Sequence, residues 1–266
     1  MEHNPPGVFT ASKKDGTIYY RASITHKKKH ISLGSYPTAL LAYGAYLEGT
    51  TILDGESLTI TDYSCHRILP FAKWICLINY RDNRIYFANP IYIRKNYFEY
   101  YLSEDLILKF DIDDLFYYSS HKIMVRGRHF FVSDYGMQVN ILNRYGIKNY
   151  AVKGRDYRFV NDDDLDFRYD NIEIFNVYHG VTRKNTKKGI RYVAKIHIKG
   201  NYTIGIYESD IEAAIAYNKA IDLLKKAGVN KNFSVNYLEN LSPSAYADIY
   251  SKLHISSKTT NYLRVQ

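Results

Sequence analysis

The sequence of 266 residues has few of the features that mark secreted and membrane proteins. Its only cysteines, Cys65 and Cys76, are too few for the disulfide framework of a small secreted domain. No stretch approaches the roughly 18 consecutive apolar residues of a membrane span. Met1 is followed by EHNPPG, which lacks the basic and apolar regions of a signal peptide. We therefore expect a cytoplasmic protein that has no contact with a membrane.

The sequence also offers no complete set of metal ligands. Cys65, His66 and Cys76 could supply three ligands, but no fourth lies nearby, and structural zinc sites use four. Free thiols are the favoured interpretation. The acidic run DDDLD at 162–166 lacks the spacing and the later glutamate of a calcium-binding loop, which favours a turn with solvated carboxylates. We expect neither a metal nor a cofactor.

Positive charge is concentrated towards the two ends of the chain. The formal net charge is +9, yet residues 61–176 carry 16 basic and 16 acidic residues, whereas residues 177–266 carry 14 basic and 6 acidic residues. Residues 9–35 carry six basic residues against Asp15 alone. Local cationic surfaces of this kind attract polyanions, although a merely solvated charged face is the alternative.

A pattern of about 55 residues occurs near both ends of the chain. The matched positions are Gly7-Val8 with Gly180-Val181, Leu33-Gly34-x-Tyr36 with Ile204-Gly205-x-Tyr207, and Ala39, Ala42 and Tyr43 with Ala213, Ala216 and Tyr217. In this alignment the offset drifts between 171 and 174, because the first copy has three fewer residues between its last strand and its helix.

Each copy is predicted to form three short strands and one helix. In the second copy YVAKIHI at 192–198 alternates, with Val193, Lys195 and His197 on one face. A turn and the partner strand TIGIY follow. The helix is predicted to begin at a capping box and to place a row of alanines against the sheet, which leaves the face with Lys195 and His197 open.

The order of these motifs resembles a known DNA-binding family. The elements G-V, L-G-x-[FY], E-A-A-x-A-Y-[ND] and N-F, here Asn232-Phe233, are similar to the domain of plant ethylene response factors, the Apetala type. The match covers 177–236 well and 5–52 less completely. Bacterial and phage members of this family usually lie beside HNH nuclease domains. The resemblance implies a sheet that enters the major groove of DNA.

The resemblance also implies which residues contact DNA. In the second copy these positions are His179, Thr182, Lys184, Lys195, His197, Asn201, Thr203 and Tyr217, the last at the DNA backbone. Candidate phosphate contacts nearby are Arg183, Lys187, Lys188, Arg191 and Lys199. In the first copy the positions are Pro6, Phe9, Ala11, Ser23, Thr25, His30, Ser32 and Tyr43, with Arg21 and Lys27 beside them. Because most of these are uncharged, the first copy is either a second reader or a structural brace.

The segment RFVNDDDLDFRYDNIEIFN at 158–176 resembles the second half of an HNH homing-endonuclease motif, D-H-I-N-G-D-x-L-D-N-R-x-x-N-L. The family's catalytic histidine is replaced by Phe159, and the asparagine of L-D-N-R by Phe167. Phenylalanine neither accepts a proton nor binds a divalent metal, so we expect no nuclease activity. His121 and His129 remain candidates for a displaced active site.

Taken together, these features predict an α+β protein of three domains. Two domains of a three-stranded antiparallel sheet and a helix, at 1–56 and 177–240, flank an HNH-like α+β domain at 57–176, and a helical tail follows at 241–266. The expected function is sequence-specific binding of double-stranded DNA without catalysis, as a transcription regulator or as a DNA-binding factor of a phage or mobile element. The alternatives are an active nuclease and a protein-binding module that blocks another protein.

Overall fold

The computed structural model describes residues 4–55 and 57–256. The five α-helices in these ranges are α1 (Ala39–Asp54), α2 (Phe71–Asn83), α3 (Leu115–Ser120), α4 (Asp210–Lys226) and α5 (Pro243–Lys252). The strands are β1 (Val8–Ser12), β2 (Ile18–His26), β3 (Lys29–Tyr36), β4 (Ile91–Ile93), β5 (Tyr97–Tyr101), β6 (Ile107–Asp111), β7 (Ile123–Arg126), β8 (His129–Asp134), β9 (Met137–Asn140), β10 (Tyr157–Phe159), β11 (Ile172–Ile174), β12 (Val181–Thr186), β13 (Gly189–His197) and β14 (Asn201–Tyr207).

The strands pair with their neighbours in sequence. In the described part of the chain they form the three-stranded sheets β1-β2-β3, β4-β5-β6, β7-β8-β9 and β12-β13-β14, and the pair β10-β11. The predicted α+β fold class is confirmed, as are both predicted sheets of the repeat, whose strands are antiparallel.

The chain divides into two compact units, one of Met1–Val139 with Asp163–Tyr169, and one of Asn140–Asp162 with Asp170–Gln266. The segment 57–176, predicted as one central domain, contributes residues to both units.

In the first unit, α1 lies between its sheet and α2. Ala42 and Ala45 are fully buried, and a Cβ added at Gly49 would be 3.1 Å from the Leu33 side chain, so small residues let the helix approach the sheet closely. The apolar core continues through Trp74 on α2 to Tyr101 on β5. The first repeat therefore shares its core with residues that follow it in the chain.

The rest of the first unit is built around aromatic residues of β5 and β6. Phe98 and Phe110 are fully buried and stack at 5.3 Å. The segment Asp163–Tyr169 runs beside β6, where the Lys109 amide donates to the Leu165 carbonyl and the Phe167 amide donates to the Lys109 carbonyl. These bonds hold the Phe167 ring 5.5 Å from Phe110.

The second unit contains the second repeat with its helix boundaries as predicted. Ser209 caps α4 by accepting from the Glu212 amide, and Glu212 accepts from the Ser209 amide, which is the predicted capping box. The predicted tail contains α5, which Lys219 anchors by donating to the carbonyls of Tyr250 and Leu253. Residues 257–266 of the tail lie outside the described residues.

The two repeats contain the same elements in the same order, and the structure corrects the register of the first helix. Thr38 caps α1 as Ser209 caps α4, so the helices align at a constant offset of 171. In both sheets the register between the second and third strands shifts at the same place, where Leu33 on β3 and Ile204 on β14 are the extra residues opposite Ala22-Ser23 and Ala194-Lys195. The prediction that the first copy has three fewer residues before its helix is wrong.

The error comes from a local ambiguity in ALLAYGAY at 39–46. The spacing A-x-x-A-Y occurs there twice, once ending at Tyr43 and once ending at Tyr46. In the structure a Cβ on Gly7 would overlap the Tyr46 ring, just as a Cβ on Gly180 would overlap the Tyr217 ring. Tyr46, and not Tyr43, is therefore the counterpart of Tyr217.

Candidate nucleic-acid interface

The second sheet exposes polar side chains on the face opposite α4. Along β13, Ala194 and Ile196 are buried in the core beneath α4. The alternate residues Lys195 and His197 are exposed. Asn201 and Thr203 on the neighbouring strand β14 are exposed beside them, paired with His197 and Lys195. The face predicted to read DNA is thus open at this end of the sheet.

One position on the same face is buried. Val193 shares the parity of Lys195 but is only 4 % exposed. On β12 the Arg183 amide donates to the Asn176 side-chain oxygen at 2.6 Å. Val193, which we expected on an open face, is therefore buried, whereas Ile206 opposite it on β14 and Lys184 on β12 are exposed.

Exposed basic side chains lie along this sheet and in its turns. Six basic side chains on β12, β13 and the adjoining turns are exposed and take part in no ion pair among the described residues: Arg183, Lys184, Lys187, Lys188, Lys195 and Lys199. Arg191 differs, because it is half-buried and its guanidinium lies 3.3 Å from the Glu208 carboxylate. A polyanion would therefore meet six unneutralised charges on this surface.

Hydrogen bonds across the strands orient the polar side chains at the far end of the face. His197 Nδ1 lies 3.0 Å from the Asn201 amide oxygen. At the equivalent pair in the first repeat, His30 Nδ1 lies 3.2 Å from Thr25 Oγ1. Both sheets therefore present an imidazole held by a polar partner on the neighbouring strand.

His179 does not lie on a strand, contrary to the prediction. It precedes β12 and is half-buried, with its ring edge-to-face against Tyr150 at 4.6 Å and Tyr217 at 5.4 Å. Asn236 holds its backbone from both sides, accepting from the His179 amide and donating to its carbonyl. Burial, reinforced by the Arg155 cation, lowers the pKa of His179.

His179 Nδ1 stands out among the polar atoms of the described chain. It is buried and has no hydrogen-bond partner. Buried polar atoms in native proteins are nearly always paired, so this unpaired nitrogen is unusual. The imidazole is held by its ring contacts and through its backbone alone.

Tyr217 belongs to the core of the second repeat. Its side chain is 3 % exposed, and burial raises the pKa of its hydroxyl to about 12. Its ring lies against Gly180, whose φ of +75° and lack of a Cβ permit the contact. This position accounts for the tyrosine through packing, and Tyr217 also lines the groove beside the sheet.

A groove of about 520 Å³ opens beside the exposed face. Its walls include Lys195, His197 and Asn201 from the sheet, His179 before it, and residues that the sequence did not single out. These are Arg155, which lies upstream of the repeat, and Lys231 and Ser234, which follow α4. Arg155 carries no signal in the sequence, whereas Lys231 directly precedes the Asn232-Phe233 motif.

The first sheet carries a different surface. A pocket of about 370 Å³ is lined by Phe9, Arg21, Ala22, Ser23, His30 and Ser32. Phe9 is 56 % exposed, whereas Ser23 is buried, although it was expected on the open face. Arg21 is the basic residue of this pocket. The first repeat therefore offers an apolar recess where the second offers cations.

The remaining predicted positions of the first repeat are not among the residues that line this recess. Thr25 and Lys27 are exposed, with Lys27 in the left-handed turn between β2 and β3 at φ +44°. Pro6 is exposed and Ala11 is half-buried. Tyr43 is half-buried and stacks on Tyr46 with ring centres 6.2 Å apart.

In the HNH-like segment the two phenylalanines fill buried positions. Phe159 pairs with Ile172 in the β10-β11 ladder and is 4 % exposed. Phe167 is buried against Phe110. Arg158, which replaces an acidic residue of the motif, pairs with Glu173 at 2.7 Å. These contacts give each replaced position a structural role.

Asp166 corrects the expectation of a solvated acidic run. Its side chain is completely buried and accepts from the Arg168 guanidinium through both oxygens, at 2.9 and 2.6 Å. Asp163 accepts from Lys109 at 3.0 Å. Two carboxylates of the run therefore form ion pairs within the first unit, whereas Asp162 and Asp164 are exposed, as predicted.

The other candidate ligands are dispersed. His121 stacks on Tyr117 at 4.2 Å, while His129 is exposed at the start of β8. Cys65 and Cys76 are free thiols, and Cys76 Sγ lies 3.4 Å from the Asn89 carbonyl oxygen. No group of three or more His, Cys, Asp or Glu side chains able to hold a metal occurs among residues 4–55 and 57–256.

Comparison with known proteins gives no relative for this chain: no family model, no curated protein and no solved structure matches it. Among the helices of the described chain, none has the length and apolarity needed to cross a membrane.

Proposed function

We propose that the chain binds double-stranded DNA in a sequence-specific and non-catalytic manner through the open face of β12-β13-β14. The observation that carries this proposal is the set of six exposed cations, Lys195 among them, that lie along β12, β13 and their turns without an ion-pair partner in the described part of the chain. Neutralising DNA phosphates releases counterions, and this supplies most of the affinity of such surfaces.

The polar side chains of the open face supply the means to discriminate between bases. The major groove of B-DNA, about 12 Å wide, admits a small β-sheet. Asn201 and His197 carry hydrogen-bonding groups that can meet base edges, and their mutual contact fixes their orientation. Arg183, Lys187 and Lys188 lie towards the other end of the sheet, where contacts to phosphates would set the register.

The first repeat has a lesser role in this proposal. Its sheet presents Phe9 and Ser32 around an apolar recess, with Arg21 as the basic residue of that recess. An apolar recess suits a thymine methyl group better than a phosphate. Two linked readers also bind more tightly than one when both engage the same molecule.

The decisive experiment is selection of duplexes from a random DNA pool. The wild type is compared with a variant carrying Lys195→Ala and His197→Ala, and with a control carrying Lys225→Ala and Lys226→Ala at the end of α4. We expect the wild type and the control to enrich one motif and the first variant to lose it. Failure of the wild type to enrich any motif would refute the proposal and favour a protein partner.

The non-catalytic part of the proposal is tested separately. Supercoiled plasmid incubated with the protein and Mg²⁺ or Mn²⁺ should remain supercoiled, because the motif positions for the general base and the asparagine hold buried phenyl rings. Nicking that disappears on His129→Ala or His121→Ala would establish the alternative, a nuclease with a displaced site.

A further inference from the structure

We infer that the groove beside the second sheet binds a phosphate group, with His179 as an uncharged hydrogen-bond donor among cationic side chains. The groove is lined by His179, Lys195, Arg155 and Lys231. This inference rests on the proposed function where the phosphate belongs to DNA. It goes beyond that function because it adds residues outside the sheet and assigns them a ligand.

The protonation of His179 follows from its surroundings. A proton on the buried Nδ1 would have no acceptor, since that atom has no partner in the described protein. Burying an N–H group without an acceptor is costly, so we assign the proton of the neutral ring to Nε2. The groove-lining imidazole then offers one N–H donor whose direction is fixed by Tyr150, Tyr217 and the backbone contacts of Asn236.

The charges around the groove favour an anion. Lys195 has no ion-pair partner in the described protein. Lys231 donates one hydrogen bond to the His197 carbonyl, and because this acceptor is neutral, the positive charge of Lys231 is not neutralised. Arg155 is paired with the buried Asp156 carboxylate. That carboxylate also accepts from the Val152 amide and the Asn176 side chain, so it is bound on several sides. The two lysines therefore leave the groove positively charged.

A phosphate group combines the features that this groove requires. It carries negative charge for Lys195 and Lys231 and has acceptor oxygens for a neutral N–H donor. The same group occurs in the DNA backbone and in free nucleotides. With a volume of about 520 Å³ the groove can admit either a strand passing along the sheet or a single nucleotide.

The test compares His179→Phe with Lys195→Gln and with the control Lys226→Gln in the full chain, using the selected duplex over a range of salt concentrations. Phenylalanine retains the ring contacts with Tyr150 and Tyr217 and removes only the donor. We expect about fivefold weaker binding for His179→Phe with an unchanged salt exponent, since a neutral hydrogen bond releases no counterion. Lys195→Gln should lower the salt exponent by about 1, and Lys226→Gln should change neither quantity.

The source of the phosphate is identified with two probes. Duplexes with a single methylphosphonate linkage should show one position where neutralisation weakens the wild type by a larger factor than it weakens His179→Phe, which keeps both lysines, and this assigns a DNA phosphate. Without DNA, a shift of the His179 imidazole NMR signal on addition of dAMP assigns a free nucleotide.

If neither effect is seen and His179→Phe binds the duplex as the wild type does, the phosphate site is overturned while DNA binding through the sheet still stands. If the wild type selects no duplex, the proposed function fails. The phosphate site is then supported by a dAMP-induced shift and overturned by its absence.

Discussion

Gly180 lies under the ring of Tyr217, and Gly7 lies under the ring of Tyr46 in the same way. In each repeat the glycine has a positive φ, +75° and +74°, and its carbonyl accepts from the strand residue after the register shift, Lys195 or Ser23. These two contacts join the helix, the start of the first strand and the point on the second strand where its pairing with the third strand shifts register.

Gly180→Ala should destabilise the second unit strongly. The added Cβ would overlap the Tyr217 ring and approach the Lys195 carbonyl, and alanine disfavours the left-handed backbone. Urea unfolding followed by circular dichroism should show a loss of at least about 2–3 kcal/mol. Gly154→Ala, at φ +83° with no atom within 4 Å of its Cβ, reports the backbone strain alone and should cost about 1 kcal/mol. Equal losses for the two variants would show that the tyrosine contact has no energetic weight.

Removal of the charges at the turn between β12 and β13 should weaken DNA binding without changing its specificity. Lys187 and Lys188 are exposed at this turn, and in the proposed function they contact phosphates. Lys187→Gln with Lys188→Gln should lower the salt exponent by about 2 and leave the selected motif intact. The matched pair Lys225→Gln with Lys226→Gln removes the same charge from the end of α4. A changed motif for the turn variant would instead place these lysines at base edges.

His179 should make the second unit less stable in acid. Burial lowers the pKa of His179 below the 6.5 of an unfolded chain, so the unfolded state takes up the proton first. Stability therefore falls as the pH decreases below 6.5, by at most about 1.4 kcal/mol per pH unit. Urea midpoints at pH 7.5 and pH 5.5 should differ more for the wild type than for His179→Phe, which has no such proton to bind. An identical pH dependence would contradict the buried, neutral state of the ring.

The two cysteines should react at very different rates. Cys65 is exposed, whereas Cys76 is buried, and burial raises the pKa of the Cys76 thiol to about 11. Because the thiolate is the reactive form, native protein at pH 8 should incorporate one maleimide label rapidly, and Cys65→Ser should abolish that rapid phase. Rapid incorporation of two labels would show that α2 opens readily.

The sequence was sufficient for features that depend on neighbouring residues. The alternation of 194–197, the capping box of Ser209 and Glu212, and the buried face of Ala213 and Ala216 follow from local periodicity, and the structure contains each of them. Val193, which is buried, is the exception to the predicted alternation. Both predicted sheets exist for the same reason.

Features that depend on distant residues were missed or misplaced. The register of α1 was ambiguous because 39–46 contains the same spacing twice. The burial of Asp166 could not be anticipated, since it depends on the placement of its segment beside β6. Arg155 reaches the groove from upstream of the repeat, and no sequence spacing indicates that approach.

The hydrogen bonds between His179 and Asn236 have a consequence for how this repeat can be moved between proteins. The two residues are 57 positions apart, yet the side-chain oxygen of Asn236 accepts from the His179 amide and its side-chain nitrogen donates to the His179 carbonyl. The polypeptide therefore enters and leaves the repeat at one point. A module closed in this way can be inserted into a host chain, or circularly permuted, with little disturbance to its surroundings. Genetic duplication of such a module needs only a short graft at a surface loop, and the two copies are then free to diverge in the surfaces they expose.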